Sequence, residues 1–235
     1  MSENIKKIMK AFKVDLDSSK NQNILKPSAR PFNNQAHQVN EVPKKIVEKI
    51  YKLIEGAKHP DDDIILNHNE IKEAFFSPFE PQLKDAKVFL SHSHADKNKA
   101  LKVKNYLEGE TNHRVFIDSL FWDYKDDVLN ELEKYDDTSK IKDAFTLILR
   151  ESLQDMIEKC PYFVFLQSNN SVSNQGLSRT TYSAWIYEEL KIAHSIRESR
   201  PTPMMESWQV FHNISPFLES LETITLKKLS RIINS

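Results

Sequence analysis

Lys87-Val-Phe-Leu-Ser91, Arg114-Val-Phe-Ile-Asp118 and Tyr162-Phe-Val-Phe-Leu166 decide how this chain folds. Each is a short run of β-branched and aromatic residues, the composition of a strand buried on both faces. Longer segments of helical character separate and follow them. The spacing predicts helices from Ala95 to Glu108, ended near Gly109, from Phe145 to Lys159 and from Ser183 to Arg197, with a shorter one around Val128, Leu129 and Leu132. Strand–helix alternation with wholly apolar strands argues for an α/β fold: a parallel sheet with helices on both faces. The three strands are expected to be neighbours, with the Val115 strand at one edge. Trp208–Phe211 and Thr223–Leu226 are weaker candidates for two more strands. Ligands of such sheets bind beyond the carboxyl ends of the strands, which directs attention to Ser91–Asp96, Asp118–Trp122 and Ser168–Glu189.

Working toward the N-terminus, the texture becomes polar. Residues 1–84 read as an extension, partly helical and partly linker, ahead of an α/β domain over 85–235. Ile5, Ile8, Met9 and Phe12 fall at helical spacing with lysines between them, a short basic amphipathic helix of the kind that touches a membrane or partner, with docking on its own domain the simpler reading. Residues 21–41 look like a linker. Pro43 opens a better helix through Ile46, Ile50 and Ile54, closed by Gly56, and a short helix from Glu70 to Phe76 stops before Pro78. Asp61, Asp62 and Asp63 form a solvated turn, since adjacent carboxylates do not converge on one point. The polar stretch Lys134–Lys142 precedes the Phe145 helix, and a loop of Ser and Asn precedes the Ser183 helix.

Composition excludes several function classes. The only glycines among the 235 residues are Gly56, Gly109 and Gly176, so neither a G-x-G-x-x-G turn nor a Walker loop can be written. A single cysteine, Cys160, excludes an internal disulfide and a Cys-paired zinc site. With 33 Lys+Arg against 34 Asp+Glu, the net charge of −1 gives no general attraction to nucleic acid or an anionic membrane. No apolar run approaches the ~20 residues of a spanning helix. Lysines interrupt the N-terminal stretch where a signal peptide would be apolar, so a cytoplasmic location is expected.

Three segments carry chemistry. His92-Ser-His94-Ala-Asp96 begins like the H-x-H-x-D-H pattern of metallo-β-lactamase-like hydrolases, but Lys97 stands where a ligand belongs and such folds need many glycines. No metal site is expected; Ser93 or Asp96 capping the following helix is the simpler reading. Asp118, ending the second strand, is placed to bind a ribose hydroxyl, and Trp122 to stack on a ring; a turn aspartate and a half-buried tryptophan read equally well. On the Ser183 helix, Ile186, Leu190, Ala193 and Arg197 form a core stripe. Glu188 and Glu189 are the i+3 and i+4 neighbours of Trp185, and periodicity does not choose between them.

Taken in order, Val88-Phe-Leu-Ser-His-Ser-His-Ala-Asp96, Val115-Phe-Ile-Asp118 and Ser183-Ala-Trp-Ile-Tyr-Glu188 resemble the successive motifs of a bacterial TIR (Toll/interleukin-1 receptor) domain over about residues 86–226. Ile186 departs from the cysteine often found after the tryptophan. The resemblance implies a flavodoxin-like three-layer sandwich with strand order 2-1-3-4-5. It also implies an enzyme that cleaves the nicotinamide–ribose bond of NAD, as substrate rather than cofactor, giving nicotinamide and ADP-ribose or a cyclic isomer, in anti-phage defence. The W-x-x-E glutamate falls on Glu188 as the catalytic residue, with Ser91, Ser93, Asp118, Trp122 and Trp185 expected to hold NAD. Self-association through the loop after Asp118, anchored by Trp122, and a downstream effector sensing the nucleotide product are the implied partners; no nucleic acid or membrane is. The alternatives are a non-catalytic TIR interaction module and the metallohydrolase.

Overall fold

The computed structural model describes residues 9–26, 48–53, 68–76, 85–119, 128–130, 133, 139–175, 178–198 and 212–235. These divide into two compact units. One comprises Met1–Ala29, Asp85–Asp118 and Gln154–Ser235; the other comprises Arg30–Lys84 and Ser119–Leu153.

The first unit is a parallel five-stranded sheet with helices on both sides, a flavodoxin-like α/β fold. In chain order its strands are β1 (Lys10–Asp15), β2 (Ala86–Ser91), β3 (Arg114–Ile117), β4 (Tyr162–Gln167) and the two-residue β8 (Glu222–Thr223). Across the sheet the order is β3-β2-β4-β1-β8. The three strands read from the sequence are therefore neighbours, parallel, with the Val115 strand at the edge. The register sets Phe116 opposite Phe89, and Phe89 opposite Phe163. Their rings form one cross-strand row, with centroids 5.7 and 5.8 Å apart.

The fourth position corrects the expected order and the expected domain boundary. It is taken by β1, from a segment read as a helix in a separate extension. β1 pairs with β4 along its whole length, from Lys10↔Tyr162 to Asp15↔Gln167. Over 12–17 the apolar residues Phe12, Val14 and Leu16 alternate with Lys13, Asp15 and Asp17, a period of two that competes with the helical spacing of Ile5, Ile8 and Phe12. Burial decides between them, since Ala11, Phe12, Val14 and Leu16 are all buried. Lys13 carries its charge off the sheet by donating to the Leu218 carbonyl at 2.6 Å. The chain then turns into α1 (Ser19–Ile24), where Ser18 caps Asn21 N–H. Buried Asn21 donates to the Asp15 carbonyl at 2.7 Å and accepts from Leu226 N–H at 3.0 Å, tying the first turn to the last helix.

The edge strand β3 is guarded by the helix before it, Lys97–Thr111. Lys104 Nζ donates to the Val115 carbonyl at 2.5 Å, and a Glu108 carboxyl oxygen accepts from Val115 N–H at 2.9 Å. Backbone groups that would otherwise template another strand are occupied. This helix runs past Gly109 to Thr111 and ends on Asn112 at φ 55, in the left-handed region that an asparagine tolerates.

The serine- and asparagine-rich segment was expected as loop. It holds a small antiparallel sheet of β5 (Ser173–Gln175), β6 (Ser178–Thr181) and β7 (His212–Asn213). The helix that follows β6, Ala184–Glu198, is capped by Ser183, whose hydroxyl accepts from Ile186 N–H at 3.3 Å. Thr223 does enter the sheet, but the chain turns helical again at Leu226–Ile233. The strand expected at Trp208–Phe211 and the N-terminal turn Ile5–Ile8 lie outside the described residues.

In the second unit the described helical residues are 48–53, His68–Phe76, 128–130 and the first part of Ser139–Lys159, with Ile50, Ile71, Ala74, Val128, Leu129, Leu149 and Leu153 among those buried. The segment after Asp118 thus groups with residues 30–84, not with the sheet. No described helix is long and apolar enough to cross a membrane.

Candidate active site

Sheet register brings the first two motifs together. Leu90 and Ile117 are partners, so the next residues, Ser91 and Asp118, stand side by side at the carboxyl ends of β2 and β3. Both are buried, as is His92. His92 Nδ1 lies 2.5 Å from an Asp118 carboxyl oxygen. Burial opposes charge on the imidazole, but the Asp118 charge and hydrogen bond, helped by Asp96 and the Leu90 carbonyl, outweigh it and hold His92 above its ordinary value.

The helix Ala184–Glu198 adds the third motif. Glu188 and Glu189 part company here. Glu188 pairs with Lys191, whose Nζ is 4.0 Å from one carboxyl oxygen. Glu189 has no exposed surface. Neither of its oxygens has a hydrogen bond of ordinary geometry among the described residues, although Ser91 and Asp118 both lie close enough to act on it. Burial first, and then the Asp118 charge, push its carboxyl well above the usual range. The signal was present in the stripe: at 100° per residue Glu189 sits about 60° from Ile186 and Glu188 about 160° away. The helix therefore turns Glu189, not the Glu188 chosen by the resemblance, toward Ser91 and Asp118. Trp185 is half-buried on the same helix.

The helix-capping reading of Ser93 and Asp96 is corrected. A 3-10 turn, His94–Asp96, opens the helix, and neither side chain makes a capping hydrogen bond. Ser93 is half-buried and not gathered with Ser91 and Asp118 by any described contact. Asp96 is buried instead, accepting from Ser168 Oγ, from Asn170 Nδ2 at 2.9 Å and from Lys99 Nζ at 3.2 Å. These donors overcome burial and hold its carboxyl below the usual range. Asp17, in the turn two residues past β1, accepts from Asn169 N–H at 3.0 Å and adds to the same latch. Nothing in the sequence signalled these pairings, since they join loops far apart in the chain.

His94 is exposed while His92 is buried, and no three described His, Cys, Asp or Glu residues are grouped to hold a metal ion. Trp122 lies outside the described residues. No family model, curated protein or solved structure matches the chain.

Proposed function

We propose that this protein cleaves the nicotinamide–ribose bond of NAD, with Glu189 rather than Glu188 as the carboxylate at the reacting ribose. The observation that carries the reading is the buried Glu189, brought by its helix to the paired ends of β2 and β3, where Ser91 and Asp118 meet. Ser91 and Asp118, from the first two motifs that resemble a TIR domain, meet there, and Glu189 follows the third. In the reaction the C–N bond electrons leave with neutral nicotinamide, and positive charge develops on the ribosyl carbon. A carboxylate held in a dry site stabilises that charge far more than water does, as the acidic pairs of glycosidases do for their oxocarbenium-like transition states. Water captures the ribosyl cation to give ADP-ribose, or a nucleophile within the nucleotide captures it to give a cyclic isomer. Asp118 and Ser91 are the groups nearest to hold the ribose hydroxyls. A role in anti-phage defence, self-association after Asp118 and an effector reading the product follow from the resemblance alone.

One observation favours the second reading, a non-catalytic interaction module: Glu189 is wholly enclosed among its neighbours. Nicotinamide release separates the two. Glu189→Gln keeps size and fold and should lower turnover on the order of 10²-fold or more, with Glu188→Gln mild, both judged against matched melting curves. The reverse ranking moves the role to Glu188. No release by the wild-type chain at any concentration leaves the interaction module.

A further inference from the structure

The NAD-cleaving reading gives Asp118 a ribose hydroxyl to hold and leaves His92 without a task. His92 is buried at the position just past the end of β2. Its Nδ1 lies 2.5 Å from Asp118 Oδ1. A proton must lie between the two atoms, because two lone pairs at that distance repel. The contact runs from one strand end to the next, beyond the last register partners, Leu90 and Ile117.

Stability does not account for such a pair. An enclosed pair of charged groups is often worth no more to a fold than apolar side chains of the same volume. Leu90 and Ile117, both buried, show that this end of the two strands takes apolar side chains. Asp118, by contrast, needs holding. It follows the last residue of β3, a four-residue edge strand whose neighbour is β2, and it lies past the ladder that joins them. It is also the last residue of its segment of the first unit. A carboxyl at such a place turns about its side-chain bonds until one of its oxygens is engaged. His92 engages one from the neighbouring strand end, and a carboxylate steadied in that way offers a substrate hydroxyl an acceptor of fixed direction.

We infer that, given the NAD-cleaving reading, His92 is a positioning residue: its Nδ1 orients the Asp118 carboxylate toward a hydroxyl of the nicotinamide ribose, and so sets the preference of the site for a ribose over a deoxyribose. His92 acts through Asp118 and touches no reacting atom.

The test measures nicotinamide release by the full chain from NAD and from its analogues lacking the 2′- or the 3′-hydroxyl of the nicotinamide ribose. Preference is kcat/KM for NAD over that for an analogue, and the intrinsic lability of the analogue cancels when variants are compared. Asparagine places its amide where Nδ1 stands, and glutamine where Nε2 stands. His92→Gln should therefore lower the preference by about tenfold or more, the worth of a hydrogen bond to a charged group, while His92→Asn keeps most of it, both at matched melting curves. In a chain carrying Asp118→Asn the preference should already be lost, and His92→Gln should take nothing further from it. A role in packing alone would slow NAD and its analogues alike and leave the ratio unchanged. A wild-type chain without preference, a preference that the Gln variant keeps, one that the Asn variant loses as fully as the Gln variant, or a further fall in the Asp118→Asn chain overturns the inference and leaves NAD cleavage standing. No nicotinamide release from NAD by the wild-type chain removes the reading beneath it, and the inference with it.

Discussion

Deleting residues 1–26 should leave a chain that does not fold, although the deletion removes none of the motifs that resemble a TIR domain. β1 is the fourth of five strands, paired with β4 along six residues and with β8 beyond it. Met9, Phe12, Val14 and Leu16 are buried there. At about 1.5–3 kcal/mol for each large apolar side chain enclosed, they contribute about 6–12 kcal/mol. A domain's whole stability is about 5–15 kcal/mol, so the remainder is close to zero. The deletion also bares one edge of β4, Tyr-Phe-Val-Phe-Leu-Gln, a flat apolar edge that invites aggregation. Cys160 supplies the assay. Its thiol is buried, touches the Ala86 carbonyl at 3.8 Å, and is pushed up to about 12 by burial. In the full chain it should resist a thiol reagent at pH 8 until urea unfolds the protein; in residues 27–235 it should react as a free thiol at once. Phe12→Ala, costing about 3–5 kcal/mol, should fold with a lowered urea midpoint. A cooperative transition at the full-length midpoint, with Cys160 protected, from residues 27–235 would refute the reasoning.

Two further outcomes follow from single residues. Gly109 lies inside a helix, and a Cβ built on it meets nothing within 4 Å; Gly109→Ala should therefore stabilise by about 0.5–1 kcal/mol, read as a higher urea midpoint at unchanged slope. Glu189 is raised in the fold, so its contribution is full below the ordinary carboxylate range and lost as pH rises through the folded value. Glu189→Gln should match the wild type in melting temperature in acid and exceed it increasingly toward neutral and alkaline pH; parallel curves across that range would show that Glu189 is ionised throughout.

The strands at Val88, Val115 and Phe163 were legible because each is apolar without interruption, a pattern set by burial on both faces. β1 was not, because its alternation of Phe12, Val14 and Leu16 with Lys13, Asp15 and Asp17 is short and overlaps a helical spacing; pairing with β4, which no local pattern encodes, decides it. The small sheet at Ser173–Thr181 was missed for the opposite reason, since Ser, Asn and Thr there have the composition of a loop. At the site, Ser91 and Asp118 were readable as strand ends. The choice between Glu188 and Glu189 lay in the direction of the core stripe, which a four-residue motif does not carry. Asp96 was misread because a helix-start aspartate caps more often than it crosses to a distant loop.

The topology explains why the site belongs on one side of β2. From β2 the chain goes to β3 on one flank and returns to β4 on the other, so the winding reverses between the carboxyl ends of β2 and β4. Open α/β sheets offer their ligand crevice at that reversal. Here the reversal is spanned by the chain itself: Asp96 accepts from Ser168, Asn170 and Lys99, and Asp17 accepts from Asn169 N–H. Hydrogen bonds to a charged group contribute about 1.5–3 kcal/mol each, and a ligand entering there would have to displace several at once. Toward β3 the balance is reversed. Ser91 and Asp118 stand at the paired strand ends and act on Glu189, which has no exposed surface. One flank of the strand spends its polar side chains on tying loops together, and the other turns them on a single enclosed carboxyl.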